Sequence, residues 1–558
     1  MTASAAGGEG AMSYACGTAT EPLLGHTIGA DLDATAARFP HRHALVECWT
    51  GRRWTYRELC AEVDALSLGL LAAGVHKGER VGIWAPNCAE WVFVQYATAK
   101  IGAILTTVNP AYKAAETAHV LRLAEVGTLI TAREYKGADF RAMVDEVRTE
   151  LKEPVRLLVI GSPEWEDLLE RGRAADPGRL AAAQRDCAAD DPINIQFTSG
   201  TSGFPKGATL THHGILNNAY FVGGLLGYTE ADRLCLPVPL FHCFGMVLGT
   251  LACTARGATI VLPAPGFDAA ATLDAIEAER CTSVYGVPTM FLALLADPAL
   301  DRRALASLRT GIMAGAPCPP SLLELVASRL GATGITTSYG MTETSPTAVQ
   351  TSFTDPLSRR VGTVGPPLPY VEVKVVDPVG DRIVPRGTAG EICVRGYLVM
   401  QGYWRQPDRT AEAVDGAGWM HTGDTGTMTT DGCLVISGRI TDMVIRGGEN
   451  IYPREIEDFL RTHPGVHDVA VVGVPDPRVG EELMAWVVRH PGTEPLTADA
   501  MRAYCEGRIA HYKIPRYVQL TDAFPMTASG KVRKAELRAA AAQLTQVPAG
   551  AAAPREEA

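Results

Sequence analysis

The sequence predicts an α/β fold: a large N-terminal domain of largely parallel β-sheets flanked by helices, a small antiparallel sheet, and a small α+β C-terminal domain. Short apolar strand patterns alternate with helical patterns from Thr55 to Ser338, which is typical of βαβ units and parallel sheets. From about residue 370 to 436, short strand patterns lie between Gly, Pro and Asp turns, as in an antiparallel sheet. A chain of 558 residues is long enough for two to four domains.

The alternating region begins with a well-marked helix. Thr55 and Glu58 form a T-x-x-E capping box, and apolar residues then recur at helical spacing up to Gly74, which suits the helix end. The later elements, in chain order, are a strand at Arg80–Trp84, a helix from Glu90 to Lys100, strands near 156–160 and at Ile193–Phe197, a helix near 213–225, a strand near 258–262, a helix near 268–279, a strand at Thr282–Tyr285, a helix near 320–329 and a strand at Ile335–Ser338.

Two further groups of elements follow. The strand patterns of the antiparallel sheet are Val371–Val376, Gly390–Val394 and Cys433–Ile436. In the C-terminal part, the patterns are a helix beginning at Pro453, strands around Val469 and Val471 and at Leu483–Val488, and a helix at Thr497–Arg508.

These patterns divide the chain into domains. The boundary is expected near Arg439–Asp442, where a Gly-Arg turn interrupts two strand-like runs. We therefore predict an N-terminal domain at 21–438, a hinge at 439–442 and a C-terminal domain at 443–541. Residues 1–20 are small and polar and residues 542–558 are rich in Ala, Pro and Glu, so both ends are expected to be disordered.

Composition excludes several classes of protein. Hydrophobic residues make up 47% and charged residues 20% of the chain, which is ordinary for a globular protein and excludes a disordered one. A net charge of −11 and the lack of a long Lys/Arg run argue against a nucleic-acid partner. We therefore expect small-molecule partners, and the oligomeric state is not determined by the sequence.

The spacing of the cysteines and the presence or absence of targeting signals indicate the cellular compartment of a protein. The 13 cysteines are scattered without a CxxC pair, which argues against a zinc framework or a disulfide scaffold. The N-terminus has neither a basic region nor an apolar region of a secretory signal, and the apolar stretch from Met246 to Pro263 is too short and interrupted to span a membrane. We therefore expect a cytoplasmic protein without a transmembrane segment, whose cysteines are mostly buried and reduced.

A loop suited to phosphate groups directly follows the predicted strand Ile193–Phe197. Its sequence, TSGTSGFPKG at 198–207, combines glycines, hydroxyl residues and one lysine. Glycines allow a ligand to approach the backbone closely, hydroxyl and N–H groups bind phosphate oxygens, and Lys206 adds a positive charge. The spacing is not that of a Walker P-loop, which disfavours an ordinary P-loop NTPase. A flexible surface loop is the structural alternative.

Five motifs in order resemble the adenylate-forming superfamily of acyl- and aryl-CoA synthetases, peptide-synthetase adenylation domains and luciferases. They are TSGTSGFPKG at 198–207, YGMTET at 339–344, HTGD at 421–424, SGRITD at 437–442 and PMTASGK at 525–531. The stretches PLFHCFGMVLGTL, YGVPTMF, RGYLVMQGYW and IRGGENIYPREIED are most similar to the medium-chain fatty acyl-CoA synthetase branch. The resemblance spans residues from about 50 to 535 and implies stacked sheets in the N-terminal domain and a mobile C-terminal domain.

The resemblance also implies an ATP site. In such a site Glu343 would bind Mg²⁺, which prefers carboxylate and phosphate oxygens, and Thr342 would bind the α-phosphate. Tyr339 would stack on adenine, and Asp424 would accept hydrogen bonds from both ribose hydroxyls. The remaining ATP- or AMP-binding residues are predicted to be Thr198, Ser199, Gly200, Thr201, Lys206, Gly315, Ala316, Pro317, Ser338, Gly340, Met341 and Arg439. A buried core tyrosine at 339 and a carboxylate at a helix start at 343 are the plain structural alternatives.

Other residues are assigned to the two steps of catalysis. Lys531 would bridge the substrate carboxylate and the α-phosphate, unless it is only a surface lysine. The resemblance implies that the C-terminal domain then swings about the hinge, so that Gly447 and Gly448 line a tunnel for CoA. The hinge position itself is Thr441, where the family usually has Asp or Lys.

The acyl-binding residues are less clearly marked. His242 resembles the family residue between the ATP and acyl pockets, with a structural histidine as the alternative. The acyl pocket is predicted to involve Tyr220, Met246, Val287 and Met341, although such residues also occur in ordinary cores.

Three functions remain open on the sequence alone. The first is an ATP- and CoA-dependent acyl-CoA synthetase, with Mg²⁺ as the metal, acting on medium- or long-chain fatty acids. The second is an adenylating enzyme that passes an aryl or other acid to a carrier-protein thiol or an amine. The third is a non-catalytic nucleotide-binding or scaffold protein, disfavoured because Lys206, Glu343, Asp424 and Lys531 are all present. Acyl chain length cannot be predicted, because pocket depth depends on distant segments.

Overall fold

The computed structural model describes residues 11–148, 151, 155–198, 205–316, 318–446, 449–491, 497–526 and 532–545. The chain forms two compact units. The large unit consists of Ala15–Val373 and Val394–His421. The small unit consists of Lys374–Cys393, the described residues from Thr422 onwards, and 11–14.

The helices have the following bounds. They are α1 Ile28–Arg38, α2 Tyr56–Ala72, α3 Ala89–Ile101, α4 Ala114–Ala124, α5 Phe140–Val147, α6 Pro163–Ala174, α7 Pro177–Asp186, α8 His212–Leu225, α9 Ala252–Thr254, α10 Ala269–Ala278, α11 Pro288–Leu295, α12 Pro320–Arg329, α13 Leu357–Gly362, α14 Pro407–Ala413, α15 Pro453–Leu460, α16 Ala498–Cys505 and α17 Lys534–Leu544. A π-helix at Phe244–Leu251 precedes α9. Short 3₁₀ turns lie at Leu300–Arg302, Thr342–Thr344, Ile440–Asp442 and His511–Lys513.

The strands have the following bounds. They are β1 Tyr14–Cys16, β2 His43–Glu47, β3 Arg52–Thr55, β4 Arg80–Trp84, β5 Ile104–Thr107, β6 Val126–Thr131, β7 Glu134–Tyr135, β8 Ala138–Asp139, β9 Arg156–Val159, β10 Pro192–Thr198, β11 Lys206–Thr211, β12 Arg233–Cys235, β13 Thr259–Leu262, β14 Ser283–Gly286, β15 Thr310–Met313, β16 Gly334–Gly340, β17 Thr347–Gln350, β18 Val371–Val376, β19 Gly390–Gly396, β20 Gly402–Tyr403, β21 Met420–Met428, β22 Leu434–Arg439, β23 Val444–Arg446, β24 Glu449–Ile451, β25 Val466–Asp476, β26 Gly480–Arg489 and β27 Tyr517–Leu520.

Two large sheets organise the large unit. One has seven strands in the order β20-β11-β10-β5-β4-β6-β9, and the other has eight in the order β17-β16-β15-β14-β12-β13-β2-β3. Their central strands are parallel, from β10 through β9 in the first and from β16 through β2 in the second. The edges are closed by antiparallel strands such as β11, β17 and β3. The predicted parallel sheets are therefore confirmed.

Two helices pack between these sheets. Helix α3 contacts β4 and β5 of the first sheet and β2 of the second, and α8 contacts β11 and β17. Nearly every residue of α3 is buried, as is most of α8. A helix that is buried all round is the form expected where both of its faces are covered. The sheets are thus stacked through a shared layer of helices, as the resemblance implies.

The small unit shows how strand alternation builds a core. Strands β25 and β26 form a long antiparallel pair, and alternate residues point to opposite faces. Val469, Val471 and their partners on one face pack against α15 and α16. Ala470, Val472 and their partners on the other face pack against Leu537 and Ala541 of α17. Both faces of this hairpin are therefore covered, as expected for the α+β domain.

A smaller sheet has the strand order β1-β18-β19-β21-β22, and its β21–β22 pair is antiparallel. Its strand β1 lies in the segment that the sequence predicts to be disordered. At the other end, α17 extends to Leu544, three residues beyond the predicted end of the C-terminal domain. The domain and hinge bounds remain predictions.

The apolar stretch after Met246 is part of the core of the large unit. It forms the end of the π-helix, then α9 and β13, all of which are buried. Among the helices that the structure describes, none is long and apolar enough to cross a membrane.

Candidate active site

The base of the phosphate loop is an antiparallel strand pair. Strand β10 ends at Thr198 and β11 begins at Lys206, and the two residues are directly paired. Gly207 is needed in this pair, because a Cβ there would lie 2.8 Å from Ile195 Cγ2. The predicted residues Ser199, Gly200 and Thr201 lie outside the described residues. The structure thus places the hydroxyl of Thr198 and the ammonium of Lys206 on the two sides of the loop entrance.

A second group of predicted residues lies where three neighbouring parallel strands end. Strands β14, β15 and β16 are adjacent and parallel, so their carboxyl ends share one edge of the sheet. Val287 follows β14, Gly315 and Ala316 follow β15, and Ser338, Tyr339 and Gly340 form the end of β16 itself. Gly315 has φ +82, and a Cβ at this position would lie 3.2 Å from Val287 Cγ1, so these two strand ends are close neighbours. Pro317 lies outside the described residues.

The chain after β16 turns sharply. A Cβ at Gly340 would lie 1.9 Å from the carbonyl oxygen of Pro346, so only glycine fits there. Met341 follows, and its N–H donates to Thr344 Oγ1 at 3.0 Å. The 3₁₀ turn Thr342–Thr344 is buried, with Glu343 only 4% exposed. This turn delivers a carboxylate into the interior of the site.

Glu343 meets the phosphate-loop base through one of its oxygens. Its Oε1 accepts a hydrogen bond from the Tyr403 hydroxyl at 2.8 Å and lies 3.5 Å from Thr198 Oγ1. Its main-chain carbonyl accepts from the Met400 N–H at 2.9 Å. A buried carboxylate needs such partners to remain charged. The structure therefore brings the predicted residues Thr198 and Glu343 together.

Tyr403 contacts both Glu343 and Lys206, and the sequence analysis did not predict it. Its ring lies under the Lys206 ammonium, with Nζ 4.4 Å from the ring centroid. Burial raises the pKa of Tyr403 well above its usual value, and the neighbouring charge of Glu343 raises it further. The phenol therefore stays protonated and donates to the carboxylate. The stretch RGYLVMQGYW contains this residue, but nothing in its local pattern connects it with Glu343.

The predicted residues Thr342 and His242 belong to neighbouring segments. Thr342 Oγ1 lies 3.6 Å from Cys243 Sγ, so the His242–Cys243 turn contacts the 3₁₀ turn. His242 is exposed, and its Nδ1 accepts from the Phe244 N–H at 3.2 Å. An exposed imidazole beside the site is not a core histidine.

The residues predicted for the acyl pocket have varied surroundings. Met246 is buried, and its sulfur accepts a hydrogen bond from Gln196 Nε2 at 3.2 Å. Tyr220 is half-buried under the guanidinium of Arg256, 3.8 Å from its ring centroid. Val287 lies at the start of α11 and Met341 beside Thr342. Their role in binding an acyl group stays a prediction.

The residues predicted to bind the ribose, Asp424 and Arg439, lie in the small unit. Asp424 and Arg439 are paired across β21 and β22, and Arg439 Nε donates to Asp424 Oδ1 at 2.9 Å. The turn before Asp424 is fixed, because the N–H of Gly423 donates to Glu391 Oε1 at 3.1 Å. Asp424 is largely buried while half of the Arg439 side chain is exposed. The ribose-binding role of Asp424 stays a prediction.

The predicted hinge and the residues of the second step also lie in the small unit. Thr441 is exposed within the turn Ile440–Asp442, and Arg538 of α17 binds both the Thr441 carbonyl, at 3.1 Å, and the Asp442 carboxylate. Gly447, Gly448 and Lys531 lie outside the described residues. The ends of the Lys531 segment are close together, because Met526 and Val532 form a β-bridge.

The donor set around Glu343 fits a magnesium ion bound to a nucleotide. Mg²⁺ takes hard oxygen ligands and usually binds one or two carboxylates together with phosphate oxygens. Glu343 supplies one buried carboxylate, and the hydroxyl of Thr198 lies beside it. Lys206 supplies a positive charge next to the same position.

Comparison with known proteins agrees with this geometry. Residues 32–404 match the family described as AMP-binding enzyme, and residues 455–531 match the AMP-binding enzyme C-terminal domain. The medium-chain acyl-CoA ligase ACSF2, mitochondrial, of Danio rerio is 42% identical over 546 residues, which cover 94% of this chain and 90% of that protein.

Two solved structures have the same fold. ATP-bound MatB from Rhodopseudomonas palustris has a TM-score of 0.84 at 30% identity and covers 93% of this chain and 100% of its own. The anthranilate CoA ligase AuaEII in complex with anthranoyl-AMP has a TM-score of 0.84 at 28% identity and covers 94% of this chain and 99% of its own.

Proposed function

The chain belongs to the AMP-binding enzyme family, and from this premise we propose that it is an acyl-CoA synthetase that activates medium- or long-chain fatty acids. The resemblance to adenylate-forming enzymes predicted from the motifs is thereby confirmed. Members such as ACSF2 and AuaEII are named acyl-CoA or CoA ligases, so the chain is an acid–thiol ligase that uses ATP and CoA.

One observation carries the proposal: the buried carboxylate of Glu343 lies beside Thr198 and next to Lys206, at the entrance of the Gly-rich loop. A carboxylate and an ammonium group in one site suit a metal-bound polyphosphate, since one binds the cation and the other binds phosphate oxygens. The Glu343 carboxylate would not be placed in the interior for stability alone, because burying a charge is unfavourable.

In the first step, a carboxylate oxygen of the acid attacks the α-phosphorus of ATP. The new bond is O–P, and the bond from the α-phosphorus to the bridging oxygen of pyrophosphate breaks. Thr198 and Lys206 hold the β- and γ-phosphates, Thr342 binds the α-phosphate and Glu343 would hold Mg²⁺. A bound Mg²⁺ would neutralise phosphate charge. Alignment of the reactants and neutralisation of charge account for most of the catalysis in such reactions.

Lys531 is proposed to bridge the substrate carboxylate and the α-phosphate during this step. Asp424 would hold the ribose hydroxyls, with Arg439 fixing its carboxylate, and Tyr339 would stack on adenine. In the second step the CoA thiolate attacks the carbonyl carbon of the adenylate. The C–S bond forms, the C–O bond to AMP breaks, and AMP leaves with that oxygen.

The substrate class and the cellular location are proposed in addition to the family assignment. ACSF2 is named for medium-chain acids, whereas AuaEII is named for anthranilate, an aryl acid. The fatty-acid motifs of the sequence support the first class, and an aryl acid or a non-CoA acceptor is the alternative. The cytoplasmic location stays a prediction.

The test is product analysis by mass spectrometry. Purified protein, ATP, Mg²⁺ and CoA are incubated with a panel of acids from acetate to palmitate, together with benzoate and cinnamate types. We expect CoA thioesters of medium- or long-chain fatty acids, with AMP in equal amount. If only aryl-CoA forms, the substrate is an aryl acid and not a fatty acid. If acyl-AMP forms without acyl-CoA, the acceptor is not CoA. Consumption of none of the acids would contradict the proposed function.

A further inference from the structure

A single tyrosine lies between the two opposite charges of the nucleotide site. The hydroxyl of Tyr403 donates to Glu343 Oε1 at 2.8 Å, and the face of its ring lies 4.4 Å from Lys206 Nζ. Glu343 is separated from Tyr403 by 60 residues, so the contact is made by the fold rather than by the local chain. One side chain therefore contacts the proposed metal ligand and the proposed phosphate ligand together.

Tyr403 is held firmly enough to fix both groups. It lies in β20, which pairs with β11, and its Cα is paired with that of Ala208, two residues after Lys206. Its N–H donates to Thr410 Oγ1 at 2.9 Å, and the residue is only 6% exposed. Because Lys206 belongs to the paired strand β11, ring and lysine are positioned by the same piece of sheet.

The hydroxyl determines how the carboxylate is presented. The phenol is the donor in this hydrogen bond, because a carboxylate oxygen can only accept. This bond uses a lone pair of Oε1 and stops the carboxylate from rotating. The other oxygen, Oε2, is then the better ligand for a cation. Hydrogen bonds to a charged acceptor are among the stronger ones in proteins.

The ring determines where the ammonium rests. A lysine ammonium over an aromatic face is attracted by the ring quadrupole. Without this contact, the flexible side chain of Lys206 would be free to pair directly with the nearby Glu343 carboxylate. Such a pair would cancel the charges that a metal-bound nucleotide needs. The ring therefore keeps the two opposite charges apart.

We propose that Tyr403 is a positioning residue that orients Glu343 for Mg²⁺ through its hydroxyl and keeps Lys206 available for phosphate through its ring. This proposal rests on the proposed function, since it assigns Glu343 and Lys206 to ATP. It makes separate predictions for the two parts of one side chain. Removal of the hydroxyl affects the metal, and removal of the ring also affects the phosphates.

The experiment is calorimetric titration of ATP into the full chain, with and without Mg²⁺, which reports binding rather than turnover. In Tyr403→Phe we expect ATP affinity without Mg²⁺ to be unchanged and the gain from Mg²⁺ to fall about three- to tenfold. In Tyr403→Leu we expect a further loss that is present even without Mg²⁺. Tyr397→Phe is the matched control, because its ring contacts His213 and Phe221 instead, and it should bind as the wild type does.

The outcomes separate this proposal from the proposed function. If Tyr403→Phe binds ATP as tightly as the wild type does, and Mg²⁺ increases that affinity by the same factor, the proposed role of the hydroxyl is wrong. An equal loss with and without Mg²⁺ in Tyr403→Phe would mean that the residue only supports the fold, which also overturns it. If the wild type itself fails to bind ATP, the proposed function fails first, and the positioning role fails with it.

Discussion

At the scale of single residues, Glu343 is the most informative position. Its buried carboxylate contacts the phenol of Tyr403 and the hydroxyl of Thr198, and the same phenol ring lies against the Lys206 ammonium. Under the proposed function, the charge of this carboxylate binds the metal ion. Removing that charge while keeping the size of the side chain isolates its chemical role.

We predict that Glu343→Gln lowers kcat/KM of acyl-adenylate formation by about 10²–10³, the range found when one electrostatic group of an active site is removed. ATP–pyrophosphate exchange measures this step directly. Glu372→Gln is the control, since Glu372 pairs with Arg395 in the same unit, and its exchange rate should stay near that of the wild type. A Glu343→Gln enzyme with normal exchange would remove this residue from the site.

A second residue-scale prediction concerns pH. His212 is buried at the start of α8, and burial lowers its pKa to about 4 from 6.5. Its Nδ1 accepts a hydrogen bond from the Ile28 N–H at 3.2 Å, which requires this nitrogen to be unprotonated. The unfolded chain binds a proton below pH 6.5, whereas the folded chain does so only near pH 4. Stability from this residue is therefore present above pH 6.5 and is lost as the pH falls towards 4.

The expected loss from His212 at pH 5 is about 2 kcal/mol relative to neutral pH. It is measured as the fall in urea midpoint between pH 7.5 and 5.0. His212→Gln should show a smaller fall than the wild type, and the neighbouring His213→Gln should fall as the wild type does. If the urea midpoints of the wild type and both variants fall by the same amount on acidification, the titration of His212 does not contribute to the loss of stability.

Tyr403 is a residue of the candidate site that sequence motifs do not predict. Thr198, Lys206, Thr342 and Glu343 are marked by motifs, and the structure brings them together. Tyr403 has no such signal, because its importance comes from contacts with residues far away in the sequence. A motif identifies residue types at fixed spacing, but it does not report which aromatic ring the fold places beside them.

At the scale of elements, helices α2 and α6 pack unusually closely through glycines. A Cβ at Gly172 of α6 would lie 1.8 Å from the carbonyl oxygen of Ala65, and one at Gly69 of α2 would lie 2.4 Å from that of Leu168. Both clashes are with backbone, so the helices would have to move apart. Glycine is here a packing residue, not a flexible one.

We predict that Gly172→Ala destabilises the protein by about 1–3 kcal/mol, the usual effect of overpacking, despite the better helix propensity of alanine. Gly127→Ala is the control, since nothing lies within 4 Å of a Cβ at that position. Thermal midpoints of both variants are compared with the wild type. A midpoint for Gly172→Ala at or above that of the Gly127→Ala control would show that the two helices tolerate separation.

Elements with strong local signals were predictable. The capping box of Thr55 and Glu58 is present at the start of α2, and β4 and β18 have the predicted bounds. The edge strands β11 and β20 were missed, because β11 begins inside the segment predicted as the phosphate loop and β20 has only two residues. The π-helix Phe244–Leu251 was also missed, since a segment apolar on every side shows neither a helical nor a strand period.

At the scale of the whole molecule, the proposal requires two half-reactions from one chain. Lys531 is assigned to the first and Gly448 to the second, both from their motifs. Variants of the two residues should therefore separate the two steps.

We predict opposite defects in two variants. Lys531→Ala should nearly abolish adenylate formation while leaving thioester formation from supplied acyl-adenylate intact. Gly448→Trp should leave the first step intact and block the second, because a bulky side chain would fill the proposed CoA tunnel. Each variant is the control for the other, and equal losses in both steps would contradict a two-conformation mechanism.

The most direct test of the central claim, activation through an acyl-adenylate, is an isotope transfer. A fatty acid labelled with ¹⁸O in both carboxylate oxygens is incubated with the enzyme, ATP, Mg²⁺ and CoA. The ¹⁸O content of each product is then measured by mass spectrometry. The mechanism predicts one ¹⁸O in AMP, one in the thioester carbonyl and none in pyrophosphate. Label in inorganic phosphate with ADP as the nucleotide product, or AMP without label, would contradict it.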